Sequence, residues 1–294
     1  MTTTTVISDY QDTTQIDSRT IYLSTKSSSG NVLNGDMKSD VIYNLKNYLN
    51  YEDDRSVQYI TISVPYAVLV NSNYIINQYN NVLNIRVGGT ITSYQFPYGN
   101  YTALSFIQAF KTVVIGYTLT INEITSKFSV QGTGSFTLLG TSSIDYLMGF
   151  SDDVSSVGTI AAMPRLCNFL PCASFQICTV GGMIYNGAIL ANDGVSSQSN
   201  VLCSVPNSSR LNTQIVYSGN NDEFRLSSKS QSFLQIQILD NGNNLVDFNG
   251  IACFFSLKIN VYRKVLKYIG KFETILKNAI INNVPEEKIS DANV

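Results

Sequence analysis

Histidine and tryptophan are both absent from the 294 residues. Without an imidazole the chain lacks the commonest general base, the commonest metal ligand and every Ser-His or Cys-His nucleophilic pair. Without an indole, carbohydrate stacking loses one of its best platforms. Charge is scarce as well: Asp, Glu, Lys and Arg make up 14%, against about a quarter in typical soluble domains. That poverty fits a subunit that hides much of its surface in an assembly, and equally a coding bias toward Asn, Ile, Lys and Tyr. A formal net charge of -2 argues against a surface devoted to nucleic acid. No run of ~18 apolar residues is present, so no membrane-spanning helix is expected. Met1 to Thr5 carries neither a basic region nor an apolar stretch, so no signal peptide is expected and synthesis in the cytoplasm follows.

The most informative stretch runs from Phe96 to Thr102, Phe-Pro-Tyr-Gly-Asn-Tyr-Thr. Pro97 cannot donate to a ladder, so a strand should stop at Phe96. Gly99 and Asn100 tolerate a tight turn. Thr102 can cap a helix whose face is Ala103, Phe106, Ile107, Phe110, Val113 and Val114, closed by Gly116. Strand-like runs follow at Tyr117 to Ile121, Lys127 to Gln131 and Ser135 to Leu139, then a helical turn from Ser142 to Met148 ending at Gly149-Phe150.

Around this unit the chain reads as strands. Residues 1–18 look like a polar, flexible arm. Arg19 to Thr25 is a short strand, and Ser39 to Leu45 alternates with Val41, Tyr43 and Leu45 on one side. Val57 to Val70 carries the strongest strand signal, with Pro65 expected to mark an edge or a bend. Val82 to Val87 and Thr90 to Phe96 form a hairpin over Gly88-Gly89. Beyond Asp153, strands are expected near Phe169 to Val180, Met183 to Leu190, Val201 to Val205, Thr213 to Tyr217 and Phe233 to Leu239. The last, Ile251 to Tyr262, has Phe255, Leu257, Ile259 and Val261 on one face. Many short strands, helices confined to one region and no βαβ alternation indicate a mainly β fold. A single jelly-roll sandwich over 19–262, with a small α+β insertion at about 72–150, fits best. Residues 263–294 read as a basic, amphipathic helical tail, with Arg263, Lys264, Lys267, Lys271 and Lys277 interleaved among apolar positions. Two readings of that tail stand: a helix packed on its own or a neighbouring subunit, or a contact with nucleic acid or an internal protein.

The order of strand, Pro-x-Gly-Asn-Tyr-Thr turn, helix, hairpin and Leu147-Met148-Gly149-Phe150 resembles the penton (vertex) capsid proteins of virophages and polinton-like viruses. Ser39 to Leu45, Tyr59 to Val70 and Asp240 to Gly250 running into the last strand are similar to the framework of the same family. The likeness covers roughly 19–262, and Pro97, Gly99, Asn100, Tyr101, Gly149 and Phe150 carry its motifs. It implies a non-enzymatic structural protein, located in the virion, that forms a homo-pentamer at icosahedral vertices. The implied partners are the major capsid protein, an internal minor capsid protein or packaged nucleic acid through the tail, and a host receptor at the outer end. A glycan- or receptor-binding lectin-like module is the alternative.

The remaining constellations point to structure. Cys167, Cys172, Cys178, Cys203 and Cys253 lack the spacing of a zinc site and read as free thiols. Asp53-Asp54, Asp152-Asp153, Asp193, Asp222-Glu223, Asp240 and Asp247 could pair as in a glycosidase, but nearly all lie in turn-rich segments where Asp caps backbone. Gly88-Gly89, Gly132-Thr133-Gly134 and Gly181-Gly182 precede no Lys-Ser or Lys-Thr on a helix, so they are not phosphate loops. No cofactor and no metal is expected.

Overall fold

The computed structural model describes residues 10–268, apart from 182, 185–187, 191–195, 199–200 and 220–221. The chain opens with β1 (Tyr10–Ser24), β2 (Asn31–Val32), β3 (Asp40–Asn44) and β4 (Val57–Val70). It then leaves the framework for a second unit: β5 (Val82–Val87), β6 (Thr90–Gln95), α1 (Ala103–Val113), β7 (Thr118–Asn122), β8 (Lys127–Gln131), β9 (Thr137–Leu138), α2 (Asp145–Met148), β10 (Val154–Ser155) and β11 (Ile160–Ala162). It returns with β12 (Ser174–Thr179), β13 (Met183–Ile184), β14 (Ala188–Leu190), β15 (Ser196–Gln198), β16 (Val201–Pro206), β17 (Gln214–Ser218), β18 (Phe224–Leu226), β19 (Phe233–Leu239) and β20 (Phe254–Tyr268).

One sheet runs β1-β20-β4-β18-β13, with β17 also on β4, and the facing one β16-β12-β19-β3-β2. Take the long strands in chain order as β1, β3, β4, β12, β16, β17 with β18, β19 and β20. The first sheet is then first-eighth-third-sixth, and the second fifth-fourth-seventh-second. Two interlocked Greek keys of this kind define a jelly roll. Alternation fills the space between the sheets: Val41 and Tyr43 from β3, Ile236 and Ile238 from β19, and Leu257 and Ile259 from β20 are all buried in one cluster.

This topology places the insertion between the third and fourth framework strands. The β1–β3, β16–β17 and β19–β20 connections leave from the same end of the sandwich, because those strands pair antiparallel in register. The described chain begins and ends at the opposite end. There the β1/β20 ladder continues from Thr14↔Lys264 to Tyr10↔Tyr268 after β4 has stopped at Val57↔Arg263.

Four sequence expectations need correction. The flexible arm does not extend to residue 18: residues 10–18 belong to β1, whose order comes from its ladder with β20. The helical tail does not begin at residue 263, since residues 263–268 complete β20, and residues 269–294 lie outside the described residues. Pro65 sits inside a central strand. The register with β20 slips between Ser256 and Lys258, and the partner on the other side changes from β17 to β18. A missing N–H is tolerated at such a bulge. Finally, the inserted unit's core draws in Ala161 and Met163, with Cys167 and Phe169 packed against it, so it reaches past residue 150.

Candidate functional site

The residues of the Phe96 to Thr102 turn tie the inserted unit to Ile75 and Ile76, on the segment that leads from β4 into it. Gly99 N–H donates to the Ile76 carbonyl at 2.9 Å and Ile76 N–H to the Gly99 carbonyl at 3.0 Å. Asn100 Oδ1 accepts the Ile75 N–H at 3.1 Å, and the Tyr101 hydroxyl donates to the Pro97 carbonyl at 3.0 Å. Thr102 then caps α1, with the Ser105 hydroxyl reaching back to complete a capping box. At the other end of the unit, Gly149 adopts φ +92°, and a Cβ there would stand 2.5 Å from the Arg165 carbonyl oxygen. Only glycine fits both conditions. The Gly149 carbonyl accepts the Arg165 N–H at 2.9 Å, which pins the chain on its way back to the framework, while Phe150 is fully buried. The six motif residues thus hold the unit and its two connections in place.

The basic stretch is divided. Arg263 lies on β20 rather than on a helix. Its Nε donates to Asp17 at 2.7 Å, its Nη1 to Asp54 and to Ser56 Oγ at 2.9 Å, and its guanidinium lies 5.5 Å from the Tyr51 ring. Hydrogen bonds from Ser56 and Arg263 hold the Asp54 carboxyl down at about 2. Arg263 is therefore a clasp between β1, the loop before β4, and β20. Lys264 follows on the same strand, with its N–H on the Ser56 carbonyl at 2.7 Å. Lys267 pairs by backbone with Gln11, and Lys271 and Lys277 lie outside the described residues.

Several of the candidate acids are likewise tied into the structure, and Asp193 lies outside the described residues. Asp153 meets Arg86 at 3.3 Å, and Asp240 accepts the Gly242 and Asn244 N–H groups at 2.8 Å each. Glu223 receives Thr61, Asn260 at 2.6 Å and the Tyr262 hydroxyl at 2.7 Å on the outer face of the first sheet. Burial raises its pKa, but those bonds and Lys258 outweigh it and leave the carboxyl below its ordinary value. The five cysteines are unpaired, and burial pushes the Cys178, Cys203 and Cys253 thiols up to about 12. Such thiols are poor nucleophiles and poor metal ligands at neutral pH. Among the described residues no group of three or more Cys, Asp or Glu could hold a metal, and no helix is long and apolar enough to cross a membrane.

Two surfaces escaped the sequence reading. On the outer face of the first sheet, nearest the insertion, register places Ser24, Phe254, Val68 and Val216 in one row and Tyr22, Ser256, Tyr66 and Ser218 in the next. Tyr22, Phe254 and Val216 are exposed by 83%, 45% and 61%, which makes this an apolar flank. Strand alternation could have flagged it had the pairing partners been known. The second is a trough at the insertion end between the β1–β3 loop, the β19–β20 loop and residues 73–79. Only the Asn- and Asp-rich composition of its three loops hinted at it.

No family model and no curated protein matches this chain. Among solved structures it is similar to the mavirus penton protein, with 10% identity and a TM-score of 0.41 over 85% of this chain and 100% of that one.

Proposed function

We propose that this chain is a structural, non-catalytic subunit of an icosahedral virus capsid, the penton that closes the five-fold vertices. The carrying observation is the polarity of the jelly roll. An α+β unit crowns one end, both ends of the described chain leave from the other, and the flanks between them are bare sheet. A subunit standing upright in a shell needs that division: an outer end for the exterior, an inner end for internal contacts, and sides for neighbours. The sequence resemblance to vertex proteins, the 14% charge and the lack of histidine support the same reading.

In this reading the apolar flank of Tyr22, Tyr66, Val216 and Phe254 meets the next subunit of the ring. A head-to-tail contact closes into a ring when its rotation divides the circle, and a durable one buries at least ~1,000 Å². The inner end, where β1 and β20 project past β4, faces the major capsid protein and the particle's contents. Analytical ultracentrifugation at micromolar concentration, alone and with major capsid protein, tests the proposal. Pentamers are expected, and Val216→Asp should disperse them without lowering the melting temperature of the subunit. A monomer that never enters a capsid lattice overturns the reading.

A further inference from the structure

At the insertion end, a trough of about 650 Å³ is lined by Asn34, Asp36, Met37, Tyr74, Asp247 and Asn249. Tyr74 and Asp247 also line a slot of about 20 Å³ behind it, together with Asn73, Tyr98 and Asp240. The trough has the size of a small-ligand site, and the slot has room for about one water or one hydroxyl group. Its walls are tied to one another. Gly250 N–H donates to the Asp36 carbonyl at 2.7 Å and Phe248 N–H to the Met37 carbonyl at 2.9 Å. Asp247 accepts the Asn249 N–H at 2.8 Å, which fixes the carboxylate in the wall.

The lining pairs an aromatic ring with amides and carboxylates, and contains no Lys or Arg. The cation beside it, Lys38, is 3.9 Å from Asp36. Carboxylates without a lining cation repel phosphate, sulfate and sialic acid. Of the two carboxylates in the slot, Asp240 is occupied by the Gly242 and Asn244 N–H groups and the Asn244 amide, and the aromatic and amide share of the lining suits a hydroxylated ring better than a lysine head. A sugar ring meets all the conditions: an apolar face for Tyr74, hydroxyls for Asp247 and Asn249, and one donor small enough for the slot.

We propose that this trough binds a neutral glycan, with one ring against Tyr74 and one hydroxyl donating to Asp247. The site goes beyond the capsid reading and does not depend on it. The test applies the full-length protein, with Tyr74→Ala and Asp247→Asn, to an array of neutral, sialylated and sulfated glycans, and to immobilised oligolysine. Neutral glycans should be retained, and each variant should weaken binding by roughly tenfold or more at an unchanged melting temperature. Phe233→Ala, on β19 away from the trough, should bind as the parent does. Retention of no neutral glycan, retention of acidic glycans alone, or binding that survives both variants overturns the proposal. Oligolysine capture that Asp247→Asn abolishes, without glycan binding, also overturns it and gives the trough to a basic segment. Sedimentation of the same samples separates the two ideas: a pentamer that binds no glycan refutes only this site, and a glycan-binding monomer that enters no lattice refutes only the vertex.

Discussion

The framework and the insertion close their cores by different means. Between the two large sheets the buried residues are mostly aliphatic: Ile60, Ile62, Ile177, Ile236, Leu257 and Ile259 interlock across the sandwich. The insertion relies on rings. Phe106 lies 4.9 Å from both Phe96 and Phe169 and 6.0 Å from Phe128, centroid to centroid. β-branched side chains suit a pleated surface facing another sheet. Where one helix must cover small sheets, a few rings of roughly 150–250 Å² each remove more surface from water per residue. The pairings differ too. β7 and β8 are neighbours in the chain, whereas β1 pairs with β20 at the far end of it. A local unit thus sits on a non-local one, and the two should respond differently to the same kind of injury.

The largest contrast should come from matched core truncations. Phe106→Ala removes the ring at the centre of the insertion and should cost about 3–5 kcal/mol, and Leu257→Ala in the framework about 2–5 kcal/mol. Hydrogen exchange should show Phe106→Ala loosening α1 and β8 while β19 and β20 keep their protection. Leu257→Ala should loosen the framework strands first. Equal loosening of both regions by either variant would mean one cooperative core, and the contrast would fail.

A smaller effect should separate the two ends of the framework. Arg263→Ala removes bonds to Asp17, Asp54 and Ser56 at the point where β4 leaves the ladder. Two-stranded ribbons are marginal in water, so the ribbon beyond it depends on this clasp. A loss of about 1–2 kcal/mol is expected, because charge-assisted bonds are strong but these are half-exposed. Exchange should quicken in Tyr10–Gln15 and Lys264–Tyr268, and stay unchanged in α1. Unchanged exchange in the ribbon would show that backbone pairing alone holds it.

The same division explains what could be read from sequence. In the insertion the elements from β5 to α2 were legible, down to the bounds of β8 at Lys127 and Gln131, while β10 and β11 were not. Its signals were local: the Thr102 cap, the spacing of Phe106 and Phe110, and the glycines at 88, 116 and 149. In the framework the longer strands with one buried face were legible, as in β3 and β20, while the short β18 was not. The outer half of β1 was not, because Thr14, Gln15, Ile16 and Ser18 are exposed and carry no alternation. Its order comes from a partner more than two hundred residues away, which no local window contains. Arg263 was misread for the same reason: spacing alone fits Val265 to a helix as readily as to a strand. The trough was illegible because Asn34, Tyr74 and Asp247 meet only after the sandwich has closed.

Acid offers the finest test, since the two carboxyls held below their ordinary values among the described residues, Asp54 and Glu223, belong to the framework. Asp54 is held at about 2 against an ordinary 3.8 by hydrogen bonds from Ser56 and Arg263. Glu223 is lowered as well: burial raises it, but Thr61, Tyr262, Asn260 and Lys258 together prevail. A carboxyl whose folded pKa lies below its unfolded one contributes stability that is complete above the unfolded value. That stability is lost as the pH falls through the folded value. For Asp54 the window therefore runs from about 4 down to about 2. Melting temperature should decline across that interval, and hydrogen exchange should quicken first where Asp54 joins Arg263 and where Glu223 bridges β4 and β20. Asp54→Asn combined with Glu223→Gln should lower stability at neutral pH and flatten the decline. An acid slope that the double variant leaves intact would place the sensitive groups elsewhere, and the framework would lose its distinction as the acid-sensitive half.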